Sequence, residues 1–298
     1  MRTNEEILAR QWVMNNGPQF MIIGAAKSGT TTLYSYLNDH PDIFLTATKE
    51  PEFFSSSKKY ELGYEWYKEL FINAPAGSAI GEASTTYSRW PHTLDSPKLI
   101  FKNTKVRKFI YIMRNPVERA FSHYAHIMRN NVSMSFEEAL DMYPVIFDTG
   151  NYHFQIERYL KYFKLEDFLF ITLDQLRRNP KKELSRILAH IGSSEFDFSI
   201  DQLERINKGG SSYYLRQMTV ERWKKIPILL NVSRCIPNAM RTIIFETIRN
   251  SSYGKRIVSD YKLVPMKQET KNYLRNQYAL PNQKLSKLTG IDISAWEN

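Results

Sequence analysis

Phe20-Met21-Ile22-Ile23-Gly24-Ala25-Ala26-Lys27-Ser28-Gly29-Thr30-Thr31-Thr32-Leu33 is the stretch on which the fold of this chain turns. Its apolar run reads as a buried parallel strand that breaks at Gly24 into a loop of small residues. A lysine stands in the loop, and threonines open the helix that follows. A strand, a loop and a helix N-terminus make an anion site, because free backbone N–H groups and the positive end of the helix dipole converge there. Lys27 and the hydroxyls of Ser28, Thr30, Thr31 and Thr32 add charge and donors around Gly29, so the loop suits a phosphate-like group. The nucleotide pattern G-x-x-x-x-G-K-[ST] places its lysine after the second glycine. Here Lys27 precedes Gly29, and no apolar strand ends in an aspartate placed to hold magnesium. Read alone, the segment also suits a plain strand–helix turn with a solvated lysine.

The rest of the chain repeats the strand-then-helix pattern. Residues 43–45 form a short strand candidate that leads into Lys49-Glu50-Pro51-Glu52-Phe53-Phe54, and residues 64–70 read as a helix. Residues 78–82 end a strand near Glu82, and residues 107–113 are a β-prone run. Arg114-Asn115-Pro116 follows, with Pro116 suited to the first helical position, Asn115 to the N-cap and Glu118 to a capping box. Helices are expected over 116–128, 135–142 and 152–163, and a strand over 168–173. A helix follows Asn179-Pro180 and stops at Gly192, and two more cover 266–280 and 283–288. Alternation of this kind predicts an α/β fold with a central, largely parallel sheet flanked by helices. Ligands of such sheets sit at the carboxyl ends of the strands, which puts Lys27, Glu82 and Arg114 on one rim. Residues 1–18 read as an N-terminal arm and 19–298 as a single domain, with no linker to divide it.

Composition narrows the partners. The 298 residues suffice for one large domain or two small ones, and 42% hydrophobic content suits a packed globular protein. A net charge of +10 favours anionic ligands without choosing among nucleic acid, acidic glycan, anionic lipid and phosphorylated nucleotide. Basic pairs such as Lys58-Lys59, Arg177-Arg178 and Lys181-Lys182 are scattered, which speaks against nucleic acid. Cys235 is the single cysteine, so an intramolecular disulfide and a cysteine-based zinc site are excluded. No secretory signal is visible in residues 1–10, and no stretch reaches the ~18–20 apolar residues that span a bilayer. A cytoplasmic location is the expectation. The locally apolar segment 226–248 leaves a packed helix or a peripheral membrane face open, and the oligomeric state is not readable.

Arg114 and Ser122, eight residues apart, form a second anion feature. A guanidinium is a planar fork of donors suited to phosphate oxygens, although alone Arg114 could equally pair with Glu118. Together, K-S-G-T-T-T after one strand and R-N-P-V-E-R-A-F-S-H-Y after another resemble the sulfotransferases that use 3′-phosphoadenosine-5′-phosphosulfate (PAPS). The resemblance implies a P-loop-like three-layer fold and a donor held without metal. It assigns the 5′-phosphosulfate to residues 27–32 and the 3′-phosphate to Arg114 and Ser122. The segment 49–54 is similar to the one that carries the catalytic glutamate in the heparan-sulfate type and its bacterial relatives. That resemblance makes Glu50 the base, with Glu52 standing where relatives often have histidine. Gly81-Glu82-Ala83-Ser84-Thr85-Thr86-Tyr87 resembles a segment near the acceptor, with Ala83 where some glycan-specific members carry lysine. Glu52, Glu82, Ser84 and Tyr152 are the expected acceptor contacts. Lys208, Gly209, Gly210 and Ser211 fall where the family closes a loop over the nucleotide.

The chemistry has its own logic. Sulfuryl transfer is electronically close to phosphoryl transfer, so positioning and charge stabilisation dominate. Lys27 is placed to neutralise charge on the leaving oxygen, and Glu50 to take the acceptor proton. His40 and His92 are alternative bases, as small-molecule sulfotransferases use a histidine. The expected activity is transfer to a hydroxyl or amine on a carbohydrate or glycoconjugate. A P-loop kinase using ATP and a non-enzymatic binder of acidic polymers are the rival readings.

Overall fold

The computed structural model describes residues 17–128, 134–199 and 264–296. Within them, β1 (Phe20–Gly24), β2 (Ile43–Leu45), β3 (Ala79–Ala83), β4 (Phe109–Met113) and β5 (Phe168–Thr172) form one sheet in the order β2-β3-β1-β4-β5. Every pairing is parallel. The helices are α1 (Thr30–Asn38), α2 (Ser57–Tyr60), α3 (Gly63–Glu69), α4 (Ser96–Asn103), α5 (Pro116–Ile127), α6 (Phe136–Met142), α7 (Val145–Asp148), α8 (Tyr152–Tyr159), α9 (Leu173–Arg178), α10 (Pro180–Ile191) and α11 (Gln268–Thr289).

The strands are apolar without alternation because both faces are covered. Met21, Ile23, Phe109, Tyr111 and Met113 pack one face, with Tyr67 of α3, Ile100 of α4, Tyr159 of α8 and Leu285 of α11. Phe20, Ile22, Ile110 and Ile112 pack the other, with Leu33 and Leu37 of α1 and Leu184 and Ile187 of α10. Burial of each such side chain contributes about 1.5–3 kcal/mol. A third cluster joins Val117 and Tyr124 of α5, Phe136 of α6 and Tyr278 of α11.

The caps follow the sequence at most places. Asn115 accepts from Val117 N at 3.0 Å and Glu118 N at 3.4 Å, and Gly192 closes α10 with φ 77°. Two expectations change. Glu118 does not complete a capping box; its carboxylate turns to Arg114. The two helices expected over 266–288 are one, with Pro281 inside α11. Leu274 and Tyr278 before the proline and Leu285 after it are all buried, and that packing outweighs the lost backbone hydrogen bond. α4 has a readable start, with Pro97 in its first turn, but falls in a stretch left unassigned from sequence.

β1 has room for nothing at its last residue. Gly24 has φ 149°, and a Cβ there would lie 2.1 Å from Ser88 Oγ and 2.8 Å from Tyr111 Cε2. Gly24→Ala is expected to cost about 2–4 kcal/mol through combined backbone strain and overpacking, measured by denaturant unfolding.

Candidate active site

The loop after β1 is tied to its neighbours before it turns. Ala25 N–H donates to Ile112 O of β4 at 2.7 Å, and Ser28 N–H returns to Ala25 O at 3.2 Å. Gly29 is the N-cap of α1 with φ 94°; no side chain caps the helix and no acidic residue stands in its first turn. The amide end of α1 therefore keeps its positive potential for an anion. The φ of Gly29 is one that side chains rarely adopt, which favours glycine here, and a Cβ would also lie 2.7 Å from Leu173 Cδ1. Lys27 is half-buried, Ser28 and Thr30 are buried, Thr32 is half-buried and Thr31 is exposed. The threonines do not share one face, because successive helical residues are turned by about 100°.

Arg114 follows β4 on the far side of β1 from β3. Its backbone is pinned by Tyr152 of α8, whose hydroxyl donates to Arg114 O at 2.7 Å and accepts from Arg114 N at 3.4 Å. Its guanidinium meets the Glu118 carboxylate at 3.0 Å through Nε and 2.8 Å through NH2. Ser122 lies half-buried one turn beyond Glu118 on α5.

Glu50 stands on the other flank. One oxygen, Oε2, accepts from Thr85 N at 2.6 Å and from Thr85 Oγ1 at 3.1 Å. Lys49 pairs with Oε1. A carboxylate has about four acceptor directions, so Oε1 retains one for an acceptor hydroxyl. Among the described residues, the non-glycine residues with positive φ are Lys27 at 69°, Glu50 at 62° and Glu52 at 58°. Strain of this kind costs about 1–3 kcal/mol per residue and gathers at functional sites. Glu52 is half-buried, and burial, then the Glu50 charge, push its carboxyl up, while Arg89 and Lys59 pull it down.

The expected acceptor contacts fare differently. Glu82 is 0% exposed, and its carboxylate accepts from Tyr67 OH at 2.5 Å, Tyr87 OH at 2.7 Å and Ser84 Oγ at 2.8 Å. Ser84 and Tyr152 are also buried. These three support the site from beneath, and the expectation that they touch an acceptor is corrected on that ground: each polar atom is already engaged inside the protein. Glu52 alone of the four is open to a ligand. Lys208, Gly209, Gly210 and Ser211 lie outside the described residues, as do residues 1–16, Cys235 and the segment 226–248.

His40 and His92, the alternative bases, both have partners within the protein. His40 is buried, its Nδ1 accepts from Asp42 N at 3.0 Å, and its Nε2 therefore donates to Ser194 O at 3.0 Å. His92 Nε2 is paired with Asp148 at 2.7 Å. His123 is buried beside Arg119 NH1 at 3.2 Å; burial, then the charges of Arg119 and Arg89, lower its pKa to about 2. No cluster of metal-ligating side chains occurs among the described residues.

Two contributors were not singled out from sequence. Thr85 holds Glu50, and its signal was its place in the segment after β3. Arg89 sits where Glu50 and Glu52 raise its pKa against the lowering effect of burial. Its segment is fixed by Gln155, which accepts from Trp90 N at 3.2 Å and donates to Trp90 O at 2.8 Å. No sequence pattern marks that arginine.

The family model described as a sulfotransferase domain matches residues 17–228. Heparan sulfate glucosamine 3-O-sulfotransferase 6 of Homo sapiens is 32% identical over 186 residues, covering 59% of this chain and 52% of that protein. Heparan sulfate glucosamine 3-O-sulfotransferase 5 of Mus musculus is 32% identical over 185 residues, with 57% and 52% covered. The chain thus spans about half the length of the curated relatives it matches. A solved sulfotransferase from Alicyclobacillus acidocaldarius superposes with a TM-score of 0.65 at 24% identity, covering 94% of this chain and 99% of that one, which shows a shared fold.

Two buried groups give stability a readable pH dependence. Burial pushes the Glu82 carboxyl from 4.5 up to about 7, against the hydroxyls that favour its charged form. The folded chain therefore holds this proton more tightly than the unfolded chain. The contribution is full below the ordinary value and is lost as pH rises through about 7, roughly 3 kcal/mol in all. His123 acts in the opposite direction: its contribution is full above 6.5 and is lost as pH falls below it. Urea unfolding at fixed pH is expected to show Glu82→Gln gaining on the parent chain between pH 4.5 and 8. His123→Gln is expected to gain on it below pH 6.5.

Proposed function

The chain belongs to the sulfotransferase family, and on that premise we propose that it moves a sulfuryl group from PAPS to an acceptor hydroxyl or amine, with a carboxylate base and no metal. The acceptor in this reading is a carbohydrate or glycoconjugate. The observation that carries it is the placing of a lysine loop and a carboxylate at the ends of adjacent parallel strands. β1 ends in the Lys27 loop, β3 ends in the segment whose Thr85 holds Glu50, and Ser84 N–H bonds Ile22 O across the two strands at 3.1 Å.

The residues fit the donor. The uncapped N-terminus of α1, with Lys27 and Ser28, suits a 5′-phosphosulfate, and Arg114 with Ser122 suits a 3′-phosphate. Arg114 must then share its guanidinium with the ligand or leave Glu118. Glu118 is a half-exposed partner at i,i+4, a pairing worth only about 0.3–0.5 kcal/mol, so a phosphate competes well. Lys208, Gly209, Gly210 and Ser211 are proposed, from the family resemblance, to close over the nucleotide.

The donor supplies an activated sulfuryl group whose sulfur–oxygen bond to phosphate breaks as sulfur bonds the acceptor oxygen. Lys27 stabilises the negative charge left on the bisphosphate. Glu50 Oε1 takes the acceptor proton, while Thr85 holds Oε2 and so fixes the direction of Oε1. The carbohydrate assignment rests on the names of the relatives and on the segment 49–54.

Purified protein mixed with labelled donor and a panel of glycan and small-alcohol acceptors tests the reading. Lys27→Ala is expected to lower kcat by roughly 100-fold or more. Arg114→Ala is expected to weaken bisphosphate binding by roughly tenfold or more in calorimetry, with a smaller effect on kcat. Glu50→Gln is expected to keep donor affinity and lose roughly 100- to 10,000-fold in transfer. Absence of both transfer and magnesium-free bisphosphate binding in the parent chain overturns the reading.

A further inference from the structure

We propose that Glu82 is a positioning residue for the base: a buried carboxylate at the end of β3 that ties the segment 50–54 to the sheet through Ser84 and Tyr87. The inference rests on the sulfuryl-transfer reading for its catalytic consequence, but the ties themselves are read from geometry alone. Glu82 pairs in register with Met21 of β1, so it faces the apolar layer that holds Tyr67 and Tyr87. A carboxylate there is the kind of buried polar group that requires a reason. Tyr67, Tyr87 and Ser84 hydroxyls all donate to it. Among the described residues no cation forms an ion pair with it.

Two of the three hydroxyls pass the order on. Ser84 Oγ gives its hydrogen to Glu82 Oε2 and so turns a lone pair to Glu52 N–H, at 3.0 Å. Tyr87 OH gives its hydrogen to Oε1 and accepts from Phe54 N–H, at 3.4 Å. A hydroxyl has one hydrogen, and with that hydrogen held by Glu82 each presents its lone pairs to the segment. The segment needs holding, because Glu50 and Glu52 both stand at positive φ. Two further ties come from the end of β3, Glu50 N–H to Ala83 O at 3.0 Å and Thr85 to the Glu50 carboxylate, and one comes from α4, where Ser96 Oγ donates to Phe54 O at 2.9 Å. One buried carboxylate thus stands behind two of the contacts that set where Glu50 points.

The groups that face Glu82 are Tyr67 from α3, Tyr87 and Ser84 after β3, Tyr159 from α8, and Glu50 from the segment itself. Burial raises its pKa to about 7, so its charge state changes in the neutral range. Protonation fills the acceptor direction on Oε2 that the three hydroxyls leave open and removes the charge that strengthens their bonds, so the hold on Ser84 and Tyr87 weakens. Ordered geometry at Glu50, and with it kcat, is therefore expected to rise as Glu82 ionises.

The test compares the parent chain with Glu82→Gln and, as a milder change, Ser84→Ala. Hydrogen exchange of the 50–54 amides is followed by mass spectrometry, together with steady-state transfer and calorimetry with nucleotide 3′,5′-bisphosphate. Glu82→Gln is expected to accelerate exchange in 50–54 more than in β1 or β4. It should lower kcat by roughly 10- to 100-fold, leave bisphosphate affinity within about twofold, and erase the rise of kcat near pH 7. Ser84→Ala should accelerate exchange at Glu52 in a chain that keeps its carboxylate. Unchanged exchange in 50–54 in both variants overturns the proposal. So does a Glu82→Gln protein that melts lower yet keeps the parent kcat and pH profile. If the parent chain neither binds bisphosphate nor transfers, the sulfuryl-transfer reading fails, and the exchange result still decides whether Glu82 orders the segment.

Discussion

β1 has a hydrogen-bonded neighbour on each side, and that double pairing fixes where every charged group of the site can stand. β3 lies on one side and β4 on the other, both parallel to it. Their chain continuations therefore emerge on the same rim as the Lys27 loop. The crossover pattern sends the chain to β2 and β3 first and then to β4 and β5, so β1 sits where the direction of winding reverses. Sheets of this kind open a crevice at that point. The segment 50–54 reaches the crevice from the β3 side and Arg114 from the β4 side, so the carboxylates and the arginine stand on separate walls. Gly24 is the narrow point, because its Cα passes against Ser88 from one wall and Tyr111 from the other.

The two walls are built from different physics. On the side of the Lys27 loop and Arg114 the groups are cationic, amide or hydroxyl: Lys27, itself at positive φ, the α1 amides, Arg114 at a strand end and Ser122 on a helix. Tyr152 fixes the arginine through its main chain, which leaves the guanidinium free to exchange Glu118 for a stronger anion. On the acceptor side the groups are carboxylates held by hydroxyls and amides, and the backbone is strained. Arg89 tempers this side, since its charge lowers the pKa of Glu52 while Glu50 raises it. His123 is held neutral first by burial and then by the positive charges of Arg119 and Arg89 beside it.

What could be read from the sequence was what depends on pattern. The apolar runs 20–23 and 109–113 showed strands buried on both faces, and Asn115-Pro116 showed where a helix begins, so Lys27 and Arg114 fell on the correct rim. Glu50 was legible only through family resemblance, since a glutamate beside a lysine and a proline has no local signature. Burial of Glu82 was not legible: a glutamate at a strand end reads as a rim residue. Its enclosure depends on Tyr67, fifteen positions earlier, and on the face shared with Met21. Positive φ at Lys27, Glu50 and Glu52 was equally hidden, because long side chains carry no signal for that region. The unbroken α11 failed for the opposite reason, in that a strong local signal, Pro281, was overruled by buried residues on both sides of it.

Magnitudes explain why the acceptor wall relies on β3 and not on itself. Two residues at positive φ cost about 1–3 kcal/mol each. A net hydrogen bond contributes about 0.5–1.5 kcal/mol, and one to a charged group about 1.5–3. The backbone ties of Glu50, Glu52 and Phe54, with the two bonds from Thr85, sum to the same order as the strain they oppose. The buried rings of Phe53 and Phe54 and the bond from Ser96 Oγ to Phe54 O anchor the far end of the segment, so these ties serve chiefly to hold Glu50 and Glu52. Each of those ties ends on residues 83–87, and two of them run through hydroxyls that Glu82 orients. The direction of Glu50 is accordingly a property of the strand next to it, and a site whose base is aimed this way is sensitive to changes in the core that touch neither donor nor acceptor.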